Sequence, residues 1–307
     1  MTDFLVIGES IADIVRSPGR PDVPHPGGSP ANVAYGLARL GRRVALLTQL
    51  GADSSGELIG AHLRAAGVEL LTDGQQLPAT PTAVVTLDDQ GRASYAFDIR
   101  WTLRPVEAPA GVRHVHLGSI AAVTEPGASA ALAVTAGLRP RATVSYDPNV
   151  RPALLGEHGE AVARVERCVA LADLVKASDE DLDWLYPSER PESVARRWLA
   201  LGPAAVFVTL GADGALAFTH ASEVRGEPVR TEVADTVGAG DSFMSATLDA
   251  LADRGLIGAA ARPALAALDE AALAAVLRHA ATAASLTVSR PGAHPPDAAE
   301  LRAALTG

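Results

Sequence analysis

Short apolar runs rich in β-branched residues alternate along the chain with amphipathic segments rich in Ala, Leu and Arg. This alternation predicts an α/β protein with a mostly parallel central sheet that is covered by helices on both faces. The predicted strands cover residues 4–8, 44–50, 115–118, 143–147, 174–176 and 205–210. The predicted helices cover residues 31–40, 55–66, 128–138, 161–170, 192–201, 239–251 and 270–288.

Two stretches interrupt this alternation. Residues 11–15 are too few for a helix and lead into a Pro- and Gly-rich segment, so they are predicted to be extended. Residues 82–87 and 94–99 flank a turn-rich segment, which predicts a β-hairpin. Together these stretches predict a small β lid over a pocket, with strands from about 11–27 and 78–104. The chain is then one domain, 1–307, that carries this lid.

The composition favours a protein that acts on small molecules. Of the 307 residues, 48% are hydrophobic, so the chain can bury a large core, and its one cysteine suits a reducing compartment. The formal net charge of −10 argues against binding to nucleic acid or to an anionic membrane. Neither a secretion signal nor a membrane span is visible. We therefore expect a cytoplasmic protein with small-molecule partners.

The segment 235–243, Asp-Thr-Val-Gly-Ala-Gly-Asp-Ser-Phe, carries the clearest chemical signal. Gly238 and Gly240 stand at the start of a predicted helix, where backbone N–H groups and the helix dipole can bind a phosphoryl group. Asp241 follows directly and could act as a base. A carboxylate in a first helical turn is also an ordinary stabilising feature, and Gly-x-Gly alone is a weak motif, so the residues leave both interpretations open.

A second motif, Gly-Gly-Ser-Pro-Ala-Asn-Val-Ala at 27–34, lies near the N-terminus. The two motifs, in this order, resemble the two signatures of the ribokinase-like, or PfkB, carbohydrate kinases. The resemblance extends along the chain through further short segments, at 8–13, 51–53, 147–151 and 209–211. It implies an ATP-dependent sugar kinase on the same α/β fold.

The resemblance implies roles for individual residues. Asp241 would take the proton from the accepting hydroxyl, while Gly238, Ala239 and Gly240 would bind the phosphoryl group in transfer. The candidate sugar-binding residues are Asp13, Gly27, Gly28, Asn32, Arg100 and Arg151. From the residues alone, Asp13 could instead be an exposed strand residue and Asn32 a helix cap.

The resemblance also implies that ATP, Mg²⁺ and a monovalent cation such as K⁺ bind. The candidate nucleotide-binding residues are Lys176, Ser178, Thr209, Gly211, Gly214, His279 and Ala283. Relatives often carry Asn-x-x-Glu near the Mg²⁺ ion, and here Ser178 and Asp181 occupy those two positions. Asp235, the carbonyl of Val237 and the segment from Ser289 would form the K⁺ site. His114 and His116 lack a third ligand nearby, so no zinc is expected.

The acceptor is the least defined part of this prediction. Segments 147–151 and 176–181 resemble the fructokinase branch, so we expect fructose first, then 2-keto-3-deoxygluconate, then ribose or a nucleoside. An acid acceptor would need a cation, which Arg100, Arg104 or Arg151 could provide. Trp101 is expected to offer an aromatic face from the lid. A homodimer through the lid is a further expectation.

Two other classes of function are alternatives to the kinase. A non-catalytic regulator that binds a sugar or a nucleotide could use the same fold, but it would not need Asp241. A dinucleotide-binding dehydrogenase would need Gly-x-Gly-x-x-Gly after the first strand, and the sequence there is Gly-Glu-Ser-Ile.

Overall fold

The computed structural model describes residues 2–16, 21–87 and 93–306. Nine strands form the central sheet, in the spatial order β13-β12-β11-β10-β9-β8-β1-β4-β5. These strands are β1 (Phe4–Ile7), β4 (Val44–Leu47), β5 (Glu69–Leu71), β8 (His114–Gly118), β9 (Thr143–Asp147), β10 (Leu174–Ser178), β11 (Ala205–Thr209), β12 (Ala215–Thr219) and β13 (Glu223–Gly226). The strands from β11 to β5 in this spatial order all run parallel. Strands β12 and β13 are antiparallel and lie at the other end, beyond β11.

A second sheet of four strands, in the order β3-β2-β6-β7, lies outside the first. Its strands are β2 (Ile11–Arg16), β3 (Val23–Gly27), β6 (Thr82–Leu87) and β7 (Ala93–Asp98). It arises from the two interruptions in the strand–helix alternation, as predicted. The turn at 88–92, on which part of the hairpin prediction rests, lies outside the described residues.

Helices pack on both faces of the central sheet, which confirms the predicted fold class. The helices are α1 (Ser29–Arg39), α2 (Ser54–Ala65), α3 (Gly127–Leu138), α4 (Pro152–Leu155), α5 (His158–Leu171), α6 (Asp179–Leu185), α7 (Pro191–Leu201), α8 (Ala239–Asp253), α9 (Arg262–Ala266), α10 (Glu270–Val288) and α11 (Ala298–Thr306). Two apolar clusters fill the space on the two faces. Helices α1, α8 and α10 pack together on one face, so the glycine-rich start of α8 lies beside the start of α1.

Helix α10 is long and apolar enough to cross a membrane by length and composition, the one such helix in the described part of the chain. Leu273, Val276 and Leu277 of this helix are buried against α8 and the edge strands. Its apolar composition therefore matches the face that it packs into the core.

Candidate active site

The glycine-rich segment before α8 forms a tight turn that only glycine fits. Gly238 has φ = 75°, and a Cβ atom there would lie 2.6 Å from the Cβ of Ala293. A Cβ on Gly240 would lie 2.9 Å from Nζ of Lys176. The first N–H groups of a helix have no intrahelical partner, so the start of α8 can donate hydrogen bonds to an anion.

The Asp241 carboxylate in the first turn of α8 is held from a second helix. Ser29 Oγ donates a hydrogen bond of 2.6 Å to Oδ1, and Asn32 Nδ2 donates one of 2.8 Å to Oδ2. Asn32 therefore does not cap α1, whose N-cap is Gly28. Sequence reasoning missed Ser29, although its place in the Gly-Gly-Ser-Pro motif was the available signal.

Asp13 on β2 lies near this carboxylate. Burial, and then repulsion from Asp241, raises the pKa of Asp13 to about 6, and the charge of Arg151 acts in the opposite direction. The Asp13 carboxylate also lies against Gly27, where a Cβ would come within 1.9 Å of Oδ2. The structure thus brings Asp13, Gly27, Arg151 and Asp241 into one region.

A buried ion pair lies beneath the glycine turn. Lys176 Nζ is 3.0 Å from Oδ2 of Asp147, and both side chains are buried. Burial opposes the charge of Lys176, but the carboxylates of Asp147, Asp181 and Asp241 raise its pKa overall. The ammonium group therefore stays charged next to Gly240, where it can face a phosphoryl group.

Ser178 and Asp181 connect the ends of two neighbouring strands. They form a capping box at the start of α6. The N–H of Ser178 donates a hydrogen bond to Asp181 Oδ2, and the N–H of Asp181 donates one to Ser178 Oγ. Asp181 Oδ1 accepts a 2.7 Å bond from the N–H of Val150. No group of three or more His, Cys, Asp or Glu side chains suited to a metal occurs within the described residues. The role of Ser178 and Asp181 toward Mg²⁺ and nucleotide therefore stays a prediction.

The two segments of the predicted K⁺ site lie together. The Asp235 carboxylate accepts hydrogen bonds from the N–H of Val237 at 3.0 Å and from that of Gly292 at 2.8 Å. These bonds lower the pKa of Asp235. Ser289 is exposed at the end of α10, and its hydroxyl donates to the carbonyl of Leu286.

The predicted nucleotide residues separate into two groups. Gly211, at φ = 55°, is exposed with open space where its Cβ would be, and Thr209 is half-buried at the end of β11. Both can face a ligand. Gly214 serves close packing instead, because a Cβ there would lie 2.2 Å from the carbonyl oxygen of Gly226.

Of the two predicted nucleotide residues on α10, Ala283 is contradicted by its burial, while the role of His279 stays a prediction. The His279 imidazole lies 2.9 Å from Asp249 of α8, so its side chain faces the helix interface. Ala283 is only 1% exposed in the core, which leaves no surface for a nucleotide. An Ala-rich helix gives no sequence signal for which of its faces is turned to the core.

Trp101 was expected to face a ligand from the lid, but the structure places it in the core. It is 3% exposed, its Nε1 donates a 2.9 Å hydrogen bond to the carbonyl of Ala121, and its ring packs against Gly127. Arg100 and Arg104 are exposed beside it.

His114 and His116 bond to hydroxyl groups. His114 lies between Thr143 and Ser145, and Ser145 also contacts His116, at 2.8–2.9 Å. Burial lowers the pKa of each histidine to about 3, so both are neutral.

Comparison with known proteins gives matches over the whole length of the chain. Residues 1–299 match the pfkB family of carbohydrate kinases. Probable fructokinase-4 of Arabidopsis thaliana is 33% identical over 323 residues, which span 100% of this chain and 94% of the plant protein. Among solved structures, fructokinase from Xylella fastidiosa with bound ATP has a TM-score of 0.86 at 27% identity and covers 100% of this chain and 99% of its own. A fructokinase double mutant from Vibrio cholerae O395, in its fructose, ADP and potassium ion bound form, has a TM-score of 0.81 at 29% identity and covers 99% and 98%.

Proposed function

The chain belongs to the pfkB family of carbohydrate kinases, and we propose that it phosphorylates fructose with Asp241 as the catalytic base. It is an ATP-dependent sugar kinase. Fructose is the proposed acceptor because fructokinases at 32–34% identity match 81–100% of this chain. The observation that carries the mechanism is the Asp241 carboxylate, held by Ser29 and Asn32 beside the glycine turn of α8.

The proposed reaction uses groups that already lie together. An acceptor hydroxyl between Asp13 and Asp241 would lose its proton to Asp241 as its oxygen forms a bond to the γ-phosphorus and the bond to ADP breaks. The N–H groups at 238–240 and the Lys176 ammonium would stabilise the charge on the phosphoryl oxygens.

Magnesium would act through water and the nucleotide phosphates. Both oxygens of Asp181 accept backbone N–H bonds, and Asp147 is bound by Lys176 and by the N–H of Asn149. These carboxylates therefore fit an outer position around a hydrated ion better than direct ligation. When bound, Mg²⁺ would neutralise charge on the β- and γ-phosphates. K⁺ near Asp235 and a homodimer through the second sheet are further parts of the proposal.

The first test is a panel of fructose, ribose, 2-keto-3-deoxygluconate and adenosine with ATP and Mg²⁺ in a coupled ADP assay. We expect fructose to give the highest kcat/KM. If the keto-acid is clearly preferred, and Arg151→Ala removes that preference, fructose is the wrong acceptor while the kinase assignment stands.

The second test concerns the base. Asp241→Asn should lower kcat by about 10² to 10⁴-fold and leave the ATP affinity within a few-fold, because it removes the base and keeps the glycine turn. Asp253→Asn, on the exposed last turn of the same helix, is the matched control and should keep the wild-type rate. An Asp241→Asn variant with more than roughly a tenth of wild-type activity contradicts this role.

A further inference from the structure

Three residues other than glycine have a positive φ within the described part of the chain. They are Ser119 at 58°, Asn149 at 37° and Ser188 at 69°. Ser119 and Asn149 follow β8 and β9, neighbouring strands whose carboxyl ends lie at the candidate active site. Backbone conformations of this kind cost free energy and persist where the surroundings fix them, often at functional sites. The proposed reaction steps do not involve the side chain of either residue.

The turn that contains Asn149 is fixed by several hydrogen bonds. Its N–H donates to Oδ1 of Asp147 at 3.2 Å, and its side-chain Nδ2 donates to Oγ of Ser119 at 3.4 Å. The next N–H, of Val150, donates to Asp181. Ser119 is itself 2% exposed and bonds to the buried Glu9 carboxyl. The strained backbone of Asn149 is therefore held from both adjoining strands.

This turn directs its carbonyl groups at the Arg151 side chain. Arg151 Nη1 donates a 2.9 Å hydrogen bond to the carbonyl of Val150 and a longer one, of 3.4 Å, to that of Asn149. Burial raises the pKa of Glu9 to about 7 and that of Asp13 to about 6, and the Arg151 charge opposes both shifts. The positive charge of Arg151 therefore acts on both carboxyls, while its hydrogen bonds fix it in the turn after β9.

We propose that Asn149 and Ser119 are positioning residues for the acceptor and act through Arg151. The left-handed turn at Asn149, tied to Ser119, holds the Arg151 guanidinium at the carboxyl ends of β8 and β9, where it can donate to a sugar oxygen. This inference rests on the proposed sugar kinase function. It adds two residues, neither of which needs to touch the substrate, to the determinants of acceptor affinity.

The test is a double-mutant cycle between Asn149→Gly and Arg151→Ala, measured with the best sugar of the panel. Glycine adopts the left-handed turn without strain but lacks the amide that holds the turn to Ser119. We expect Asn149→Gly alone to raise the sugar KM about fivefold or more, with the ATP KM unchanged and Tm not lowered. In the Arg151→Ala background the same change should alter the sugar KM by less than about twofold.

Ser119→Gly removes the other side of the same contact and should also raise the sugar KM, by a smaller factor. It also takes a hydrogen-bond donor from the buried Glu9 carboxyl, so its Tm should fall. Ser188→Gly is the matched control, since it relieves the same kind of strain in the loop between α6 and α7 and should leave both KM values unchanged. An unchanged sugar KM in Asn149→Gly, an equal effect with and without Arg151, or a loss of Tm in Asn149→Gly overturns the proposal. Failure of the wild type to phosphorylate any sugar would instead reject the proposed function.

Discussion

The two hydrogen bonds that the Asp241 carboxylate accepts lead to a prediction at the scale of single residues. The short bond from Ser29 Oγ, 2.6 Å, fixes one carboxylate oxygen, so Ser29→Ala should leave the base less well oriented. We expect kcat/KM for the sugar to fall about tenfold, with little change in thermal stability, as measured by steady-state kinetics and a melting curve. Ser129→Ala, which removes an exposed hydroxyl bond on α3, is the control. Wild-type kinetics in Ser29→Ala would show that Asn32 alone orients the base.

Asp13 makes a second prediction, about stability and pH. Its pKa rises from 3.8 to about 6 on folding, so the folded state binds more protons than the unfolded state between these values. The free energy of unfolding contributed by this group therefore falls as the pH rises through that window. In urea unfolding, Asp13→Asn should be more stable than the wild type. This gain in the free energy of unfolding should be about 1 kcal/mol larger at pH 7.5 than at pH 5.

The same variant should lose sugar affinity, since it removes an acceptor for a sugar hydroxyl. A gain in stability that does not depend on pH would show that charge burial at Asp13 is not its cause. A stability gain together with a higher sugar KM would mean that the buried charge is kept for binding.

Residue types and order along the chain predicted the convergence at the site, but not the direction of every side chain. Asp13, Asn32 and Asp241 were predicted from motifs, and the structure places them close together, while their roles stay predictions. Ala283 and Trp101 were misassigned because their orientation depends on packing in the core. Such packing is set by neighbours distant in sequence, which a single sequence does not reveal.

At the scale of secondary structure, elements inside the strand–helix alternation were predicted well. The observed bounds of β9 and α10 equal the predicted ones. Strand β10 was predicted to end at Lys176, but it continues to Ser178, because its parallel pairing with β11 extends to Ser178 opposite Thr209. The strands β5, β12 and β13 were missed, since they are three to five residues long and the last two form an antiparallel edge with no helix between them.

The turn that begins α8 makes a prediction at this scale. Gly238→Ala would force a Cβ against Ala293 at a φ of 75°, so the turn must move and its N–H groups with it. We expect kcat to fall at least about tenfold and Tm to fall as well. Gly137→Ala on α3, where a Cβ meets open space, is the control and should stabilise the protein by about 0.5–1 kcal/mol at full activity. An active Gly238→Ala enzyme would contradict the phosphoryl-binding role.

At the scale of the whole molecule, the site follows from the order of strands. The chain passes from β1 to β4 on one side and returns through β8 on the other, so β1 lies at the point where the order reverses. Ligands of open α/β sheets bind outside the carboxyl ends of the strands at such a point. Strand β2, which carries Asp13, follows β1 in the chain, and β3 then leads from this second sheet into α1. The acceptor side and the lid are therefore products of one topological feature.

The last prediction concerns Trp101, which follows β7 and connects the second sheet to the core of the protein. Its Nε1–H is the donor to the buried carbonyl of Ala121, two residues from Ser119 on the acceptor side. Trp101→Phe keeps most of the apolar contact but leaves that carbonyl without its donor, so the free energy of unfolding should fall by about 1–3 kcal/mol. We also expect a higher KM for the sugar than in Trp184→Phe, a control on α6 that is only partly buried. Urea unfolding and sugar kinetics check both effects, and a stability loss with an unchanged sugar KM would show that Trp101 supports the core without fixing the lid.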